Sequence, residues 1–464
     1  MRPISPDEMR AVDANCTYLG LLPIQLMENA GSALASEARR RARGKKIAVV
    51  AGRGNNGGDA FVAARHLADL EVTVFLLGRS REIATQEARQ NWEILVHLNF
   101  DLREVRDSED LASLSQYDLI LDGVFGTGVR GPVRGLEAGA IDAINSSGKP
   151  VLSVDVPSGL GTDKVVDPDV TVTFHRPKVG IPGEVVVAGI GIPPAAEFFV
   201  GPGDLALVTR RAPESHKGEN GRVLVIGGGP YSGAPALTAM AALRAGADLA
   251  TVAVPMNVAG IIAGFSPNLI VRPLSGDHLS PDDLDLLREL MPRHDVVVVG
   301  MGLGRHPETR EALTEVVPEG GKVVIDADAL LPGIPLQGII TPHESEFRRV
   351  SSIKVPPGRV QNETLMSFAR DMELTVLLKG KVDLITDGSV IRGNATGNAG
   401  MTVGGTGDVL AGIVGAFYCK ASPLQAAAAA AFVNGTAGDL AFAEKGYSLL
   451  ATDVIEMIPQ AMIL

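Results

Sequence analysis

Cysteine, aromatic side chains, long apolar runs and surplus positive charge are all scarce in this chain, and each shortage removes a class of function. The 464 residues contain two cysteines, Cys16 and Cys419, too few and too far apart for a disulfide framework or a thiolate metal cluster. Both sit in apolar surroundings and are expected to be small buried hydrophobes. The formal net charge of −12, with no basic stripe, argues against a nucleic-acid partner. The longest nearly apolar window, residues 426–433, is short and alanine-rich, which suits a buried helix rather than a membrane span. The opening MRPISPDEMR lacks the apolar core of a secretory signal, so a cytoplasmic protein is expected. Aromatics supply only 4% of residues, whereas there are 54 glycines, a balance that fits an α/β architecture with many strand–helix turns. The length exceeds what one hydrophobic core holds and points to about two or three domains.

Short β-branched runs alternate with helical patterns, the signature of parallel sheets. In the first half, 46–51 (KIAVVA), 72–77, 119–121 and 151–154 are predicted strands. A second series starts at 222–226 (RVLVI) and continues through 249–254, 295–299 and 322–325. Near the end, 375–378, 383–386 and 389–391 read as shorter strands, the last two joined by an Asp387-Gly388 hairpin turn. The proline-, glycine- and charge-rich stretch 192–221 reads as a seam, with the boundary placed near Arg210: 1–210 and then 211–464.

The densest chemistry lies in residues 398–412, NAGMTVGGTGDVLAG, where five glycines surround Asp408 and a helical pattern follows. Glycines admit a ligand close to the backbone, and a helix start aims unpaired N–H groups at an anion. An aspartate among those donors can act as base toward a hydroxyl about to receive a phosphoryl group. A lone GTGD would serve equally as a capped turn; the longer string points to phosphate chemistry. Around it, GGGPYSGAP (227–235), GMGLGR (300–305), DADAL, TPHESEF (341–347) and LLKGKVDLIT (377–386) mostly follow predicted strands, so one cleft can collect them. His343 serves either as a helix cap or as a ligand, and Lys379 either as a solvated charge or as a binding group.

In the first half, KIAVVA runs into GRGNNGGDA (52–60), which is not the G-x-G-x-x-G of a hydride-transfer site. Asn55, Asn56 and Asp59 supply hard oxygens for a ribose or an alkali cation. Asp122, in LDGVFGTGVRGP, and Asp155, in SVDVPSGL, bring two more acids to predicted strand ends at the edge where ligands bind.

GNNGGD, DGVFGTGVRGP, DVPSG and TFHRPKVG together resemble the N-terminal domain of the NAD(P)H-hydrate repair enzymes, over about residues 5–208. The block from 211 to 462 resembles their C-terminal dehydratase domain, a ribokinase-like fold. The implied architecture is an N-terminal Rossmann-like three-layer α/β/α domain followed by a ribokinase-like α/β domain. The resemblance implies an epimerase that interconverts R and S hydrates of NADH and NADPH, and a dehydratase that restores the S form using ADP or ATP. In the epimerase it assigns Asn55, Asn56, Gly57, Gly58 and Asp59, with Gly126, Thr127, Gly128, Val129, Arg130, Gly131 and Pro132, to the hydrated dinucleotide. Asn56, Asp122 and Ser158 would hold potassium, and Asp155 would contact the nicotinamide end as the acid/base group. In the dehydratase Ala234, Gly302, His343 and Asp408 would meet the hydrated dinucleotide, with Asp408 catalytic. Lys379, Gly380, Lys381, Val382, Asp383 and Gly407 would meet the adenine nucleotide, which brings magnesium; the sequence contains no dedicated metal cage. The resemblance also implies a homo-oligomer. Ala60 and Arg53 depart from the commonest form of the glycine turn, without removing a proposed ligand. Two rivals remain: a ribokinase-like small-molecule kinase, and a first half that only senses dinucleotides.

Overall fold

The computed structural model describes residues 2–209, 211–354 and 359–463. The chain divides into two compact units, 1–194 and 195–464. The Arg210 boundary lies outside the described residues, but the segment just before it packs with the second unit. Val200 N–H donates to the Gly393 carbonyl at 2.8 Å, and Arg392 pairs with the buried Asp204 at 2.9 Å.

The first unit holds a seven-stranded parallel sheet: β1 (Lys46–Ala51), β2 (Glu71–Leu77), β3 (Asp101–Val105), β4 (Leu119–Gly123), β5 (Val151–Val154), β6 (Val170–Phe174) and β7 (Glu184–Ala188). Their spatial order is β3-β2-β1-β4-β5-β6-β7, so the direction of winding reverses between β1 and β4. Ligands of open α/β sheets bind at the carboxyl ends beside such a reversal. Strand β1 is buried on both faces from Ile47 to Ala51, as its unbroken apolar run requires.

The second unit continues with β8 (Arg222–Ile226), β9 (Leu249–Pro255), β10 (Ile270–Leu274), β11 (Val296–Val299), β12 (Val323–Ile325), β13 (Ile339–Ile340), β14 (Thr375–Leu378), β15 (Asp383–Thr386) and β16 (Ile391–Asn394). They lie in the order β10-β9-β8-β11-β12-β13-β14-β15-β16, parallel up to β14 and antiparallel thereafter. Successive side chains of one strand feed two cores. Val223 and Val225 join an alanine-rich core with the helices Gly233–Arg244, Thr406–Tyr418 and Pro423–Lys445. Leu224 and Ile226 join the opposite one, with Leu313, Phe347 and Leu365. The sheet is therefore covered on both faces. The expected Asp387-Gly388 turn is present: Gly388 has φ +85°, and Asp387 Oδ1 accepts from Ser389 N–H at 2.9 Å and Val390 N–H at 3.0 Å. The paired strand begins at Ile391 instead of Ser389.

No strand was expected at β3, β6, β7, β10 or β13. DLREV and IVRPL are half-exposed outer strands, one mostly polar and the other containing proline. VTVTF alternates valine with threonine, as a half-solvated strand would, yet Thr171 and Thr173 are fully buried. Strand β13 is only two residues long.

Candidate active sites at two sheet edges

At the end of β1 the chain turns at Gly52 and enters the helix Asn55–His66 inside the GNNGGD motif, not after it. Two glycines make this possible. A Cβ at Gly52 would lie 2.0 Å from the Val124 carbonyl oxygen, and one at Gly57 would lie 2.0 Å from that of Gly52. Asn56 points inward and donates to the carbonyls of Phe125, at 2.9 Å, and Val154, at 3.0 Å, tying the ends of β4 and β5 together. Asp122, fully buried, accepts from Ser153 Oγ at 2.7 Å and Ser158 N–H at 2.9 Å. Phe125 N–H donates to Ser158 Oγ at 2.8 Å. Asn56 and Ser158 thus both bond the Phe125 backbone, and Ser158 also binds Asp122. Burial pushes the Asp122 carboxyl up, and it has no ion pair among the described residues.

Asp155 follows β5 with φ +62°. Its Oδ1 accepts from Lys178 Nζ at 2.6 Å, Phe174 N–H at 3.1 Å and Thr173 Oγ1 at 3.2 Å. Its Oδ2 accepts no hydrogen bond among the described residues. Lys178, with 3% of its side chain exposed, also donates to the Phe174 carbonyl at 2.7 Å. Both residues line a cavity of about 840 Å³ that Asn55, Asn56, Asp59 and Asp13 also face. Burial, with Asp155 and Asp13 nearby, pushes the Asp59 carboxyl well up. Asp13 opens to the cavity but is crowded by protein; burial and the Asp155 charge, opposed by Lys178, push it up to about 6.

In the second unit Asp408 lies in the first turn of the helix Thr406–Tyr418, whose N-cap, Gly405, has φ +99°. Gly412 seats this helix: a Cβ there would lie 2.1 Å from the Thr238 carbonyl oxygen. Thr238 Oγ1 donates to the backbone carbonyl of Asp408 at 3.0 Å, fixing the turn that carries it. Burial, then the Asp326 carboxylate, push Asp408 up to about 7 against the pull of Lys379. Lys379, at the end of β14, lies 3.0 Å from Asp326 and 4.0 Å from Glu346. Burial works against its charge, but Asp326 and Glu346 outweigh it and raise its pKa. A Cβ on Gly407 would stand 3.4 Å from Lys379 Nζ. His343 caps the helix Glu344–Ser351, its Nδ1 accepting from Glu346 N–H at 3.3 Å, while its side chain is 53% exposed. Strand-like pairing sets His343 beside Lys379, whose N–H donates to the Pro342 carbonyl at 2.8 Å.

The family described as NAD(P)H-hydrate dehydratase matches residues 223–460, and the YjeF-related protein N-terminus matches residues 23–180. The bifunctional NAD(P)H-hydrate repair enzyme of Archaeoglobus fulgidus is 45% identical, covering 100% of this chain and 99% of its own. Its counterpart in Methanothermobacter thermautotrophicus is 42% identical over 99% of this chain and 95% of its own. This chain belongs to the bifunctional NAD(P)H-hydrate repair enzymes. The second unit resembles a ribokinase-like superfamily protein of Enterococcus faecalis, with 26% identity and a TM-score of 0.51 over 57% of this chain and 95% of that one. The fold is accordingly α/β throughout, with a Rossmann-like parallel sheet first and a ribokinase-like unit second, in a bifunctional enzyme.

Within this repair enzyme, Asn55, Asn56, Asp59, Gly126, Thr127, Gly128 and Asp155 face the first cavity. Gly57 and Gly58 are buried behind it, and Val129, Arg130, Gly131 and Pro132 do not line it. Asp122 and Ser158 lie behind its wall. In the second unit a Cβ on Gly302 would lie 3.5 Å from that of Ala234, so these two meet. Asp383 accepts from Gly380 N–H at 2.9 Å and closes the β14–β15 loop, on which Lys381 and Val382 are exposed. Sequence reasoning overlooked Asp13 and Lys178 as site residues and gave Asp326 little weight. Lys178 lies in the quoted TFHRPKVG, and Asp326 opens DADAL. Asp13 belongs to an ordinary amphipathic helix, and no local signal marks it.

Among the described residues, no helix is long and apolar enough to cross a membrane.

Proposed function

We propose that the first unit interconverts the R and S hydrates of NADH and NADPH, and that the second returns the S hydrate to the reduced dinucleotide at the expense of ADP or ATP. The observation that carries this reading is Asp408: a carboxyl with no ion pair among the described residues, pushed up to about 7, on a helix start cushioned by glycine and next to Lys379. A base titrating near neutrality takes a hydroxyl proton efficiently. Asp408 removes the proton of the ring hydroxyl as the hydroxyl oxygen attacks the terminal phosphorus and AMP or ADP departs with the bridging oxygen. Phosphate then leaves with the C–O electron pair, and loss of the neighbouring ring proton restores the double bond. Hydroxide itself is a far poorer leaving group. Lys379 and the N–H groups of the helix start stabilise charge on the transferring phosphoryl group. Ala234, Gly302 and His343 hold the hydrated dinucleotide. Gly380, Lys381, Val382, Asp383 and Gly407 hold the adenine nucleotide. The carboxylates of Asp326 and Glu346, near Lys379, and of Asp328, near Asp408, are hard oxygen donors and fit a magnesium ion arriving with that nucleotide.

In the first unit Asp155 exchanges the hydroxyl proton of the carbon next to the ring nitrogen. With that proton gone the C–N bond opens to a carbonyl, and closure on the other face inverts the carbon. Lys178 aims Asp155 so that Oδ2 stays available, and Asp13 is placed to supply and recover the nitrogen's proton. Asn56, Asp122 and Ser158, with the Phe125 carbonyl, fit potassium: these are hard oxygens around one buried carboxylate that lacks a cationic side chain. Such an ion would offset the Asp122 charge and hold the ends of β4 and β5 in place.

The test follows dihydronicotinamide absorbance in a mixture of both NADH hydrate epimers with ADP, with ATP, and with neither. Nucleotide-dependent recovery of the whole pool, faster than spontaneous epimerisation, is expected. Recovery that stops at the S fraction removes the epimerase reading. No recovery with either nucleotide, but a stable phosphorylated product from another small molecule, replaces the dehydratase with a kinase.

A further inference from the structure

One cluster of ligand-type side chains has no part in either proposed reaction. His278 lies in the loop after β10, while His306 and Glu308 open the helix Pro307–Glu319, His306 as its N-cap. One ligand atom from each of the three lies within 4.8 Å of the others. His278 Nε2 is 2.8 Å from Glu308 Oε2, and its Nδ1 is 2.6 Å from Asp277 Oδ1. The two imidazoles lie 3.7 Å apart between ring centres, tilted by 36°. His306 Nδ1 accepts from Glu308 N–H at 3.3 Å, which leaves Nε2 as its ligand atom.

We infer that His278, His306 and Glu308 form a binding site for a divalent transition ion of the zinc class, with Asp277 as the outer carboxylate that orients His278. Two imidazole nitrogens and one carboxylate are the donor set of three-ligand zinc sites, which keep a fourth position for water. Magnesium and calcium prefer oxygen donors throughout and are disfavoured by two imidazoles. A carboxylate on the far nitrogen of a ligating histidine fixes its tautomer and ring orientation, as Asp277 does here. Nδ1 of His306 serves the helix cap and Nδ1 of His278 serves Asp277, while His278 Nε2 already meets Glu308 Oε2 at 2.8 Å, a contact that a bound ion would replace. The His278 side chain is 23% exposed, so an ion can enter from solvent without opening the core.

The placement gives the ion a structural consequence. His278 belongs to the connection after β10, and His306 directly follows the glycine loop after β11 that contains Gly302. An ion between them clamps two loops at the carboxyl edge of the second sheet, one of which is proposed to bind substrate. The site itself uses no residue proposed for either reaction, so it stands or falls separately from the repair reading.

The experiment uses the full chain without a histidine tag, stripped with chelator and titrated calorimetrically with zinc chloride, and with cobalt(II) for its visible bands. One saturable zinc site is expected, with cobalt bands of tetrahedral or five-coordinate type and no competition from magnesium. His278→Gln should weaken zinc binding by at least about tenfold, and so should His306→Asn, which keeps a capping side chain at the helix start. Asp277→Asn should weaken it by roughly tenfold through the lost outer partner. Zinc should also slow amide exchange in residues 275–280 and 302–309 of the wild type. Absence of saturable zinc binding overturns the inference. So does zinc binding that is unchanged in the His278→Gln/Glu308→Gln double variant, a change that leaves the cap at His306 untouched.

Discussion

Both units aim a helix start, cushioned by glycine, at the carboxyl edge of a parallel sheet, yet they treat the central acid in opposite ways. Asp155 stands on left-handed backbone and takes three hydrogen bonds on Oδ1, one from the buried Lys178. Asp408 stands on a helical turn whose dipole favours a negative charge, but Lys379, the cation within reach, is engaged by Asp326. Burial and Asp326 therefore win, and the Asp408 carboxyl is pushed up to about 7. The contrast teaches that the glycine–acid layout sets where an acid sits, while residues from other elements decide whether a cation is bonded to it. Under the proposed roles, a paired carboxylate suits exchange at a fixed position, whereas a carboxyl with no ion pair among the described residues suits a proton abstraction timed with phosphoryl transfer.

The strongest way to break the comparison is Asp408→Asn. Dehydration should fall by roughly 10²- to 10⁴-fold, while interconversion of the epimers, followed by chromatography, stays at the wild-type rate. Loss of both in a folded protein would mean that the two edges are not independent. Next in size is Lys178→Met, which leaves Asp155 without its cation. Epimerisation should drop by roughly 10²-fold, and urea unfolding should show a loss of about 3–5 kcal/mol, since a partly buried charge is left alone. A variant that keeps full epimerase activity would show that Asp155 does not need to be held.

The glycines sharpen the comparison at a smaller scale. Gly57→Ala forces a Cβ to within 2.0 Å of the Gly52 carbonyl oxygen, whereas Gly54 has open space. Denaturant melts should separate them, with a loss of about 1–3 kcal/mol at Gly57 and a smaller one at Gly54, where alanine meets no clash but is the poorer N-cap. Last is the pH effect on stability. The Asp408 carboxyl titrates higher in the folded chain than its ordinary value of 3.8, so the fold favours its protonated form. That contribution is complete below about pH 4 and is lost as pH rises through about 7. Asp408→Asn should therefore be more stable than wild type at pH 8, by up to about 4 kcal/mol, a difference that closes as pH falls below about 4. Wild-type dehydration moves the other way, falling as pH drops below about 7, because the base must be unprotonated. Opposed pH trends of stability and turnover would tie both to one carboxyl.

Much of the architecture was legible because buried parallel strands are short apolar runs bounded by glycine. Residues 46–51, 151–154 and 222–226 were placed to the residue. The outer strands Asp101–Val105 and Ile270–Leu274 were not, because their polar residues and proline carry no such signal. The same divide runs through the sites. Asp155 and Asp408 stand in dense glycine motifs, where backbone geometry restricts the residue type. Asp13 and Lys178 reach the cavity of Asp155 from a helix and a loop distant from it in sequence, and spacing cannot reveal that.

What the sequence determined by itself was the pair of α/β units, their order, and the polar residues each strand end presents, because strand periodicity and glycine turns are local properties. Only the tertiary structure decided which of those residues share a site and what charge each one meets. The buried Lys178 beside Asp155, Asp326 paired with Lys379 and felt by Asp408, and the two histidines drawn together from separate loops are such cases. Electrostatic coupling depends on distance through space and on lost water, and neither is written in the order of residues along a chain.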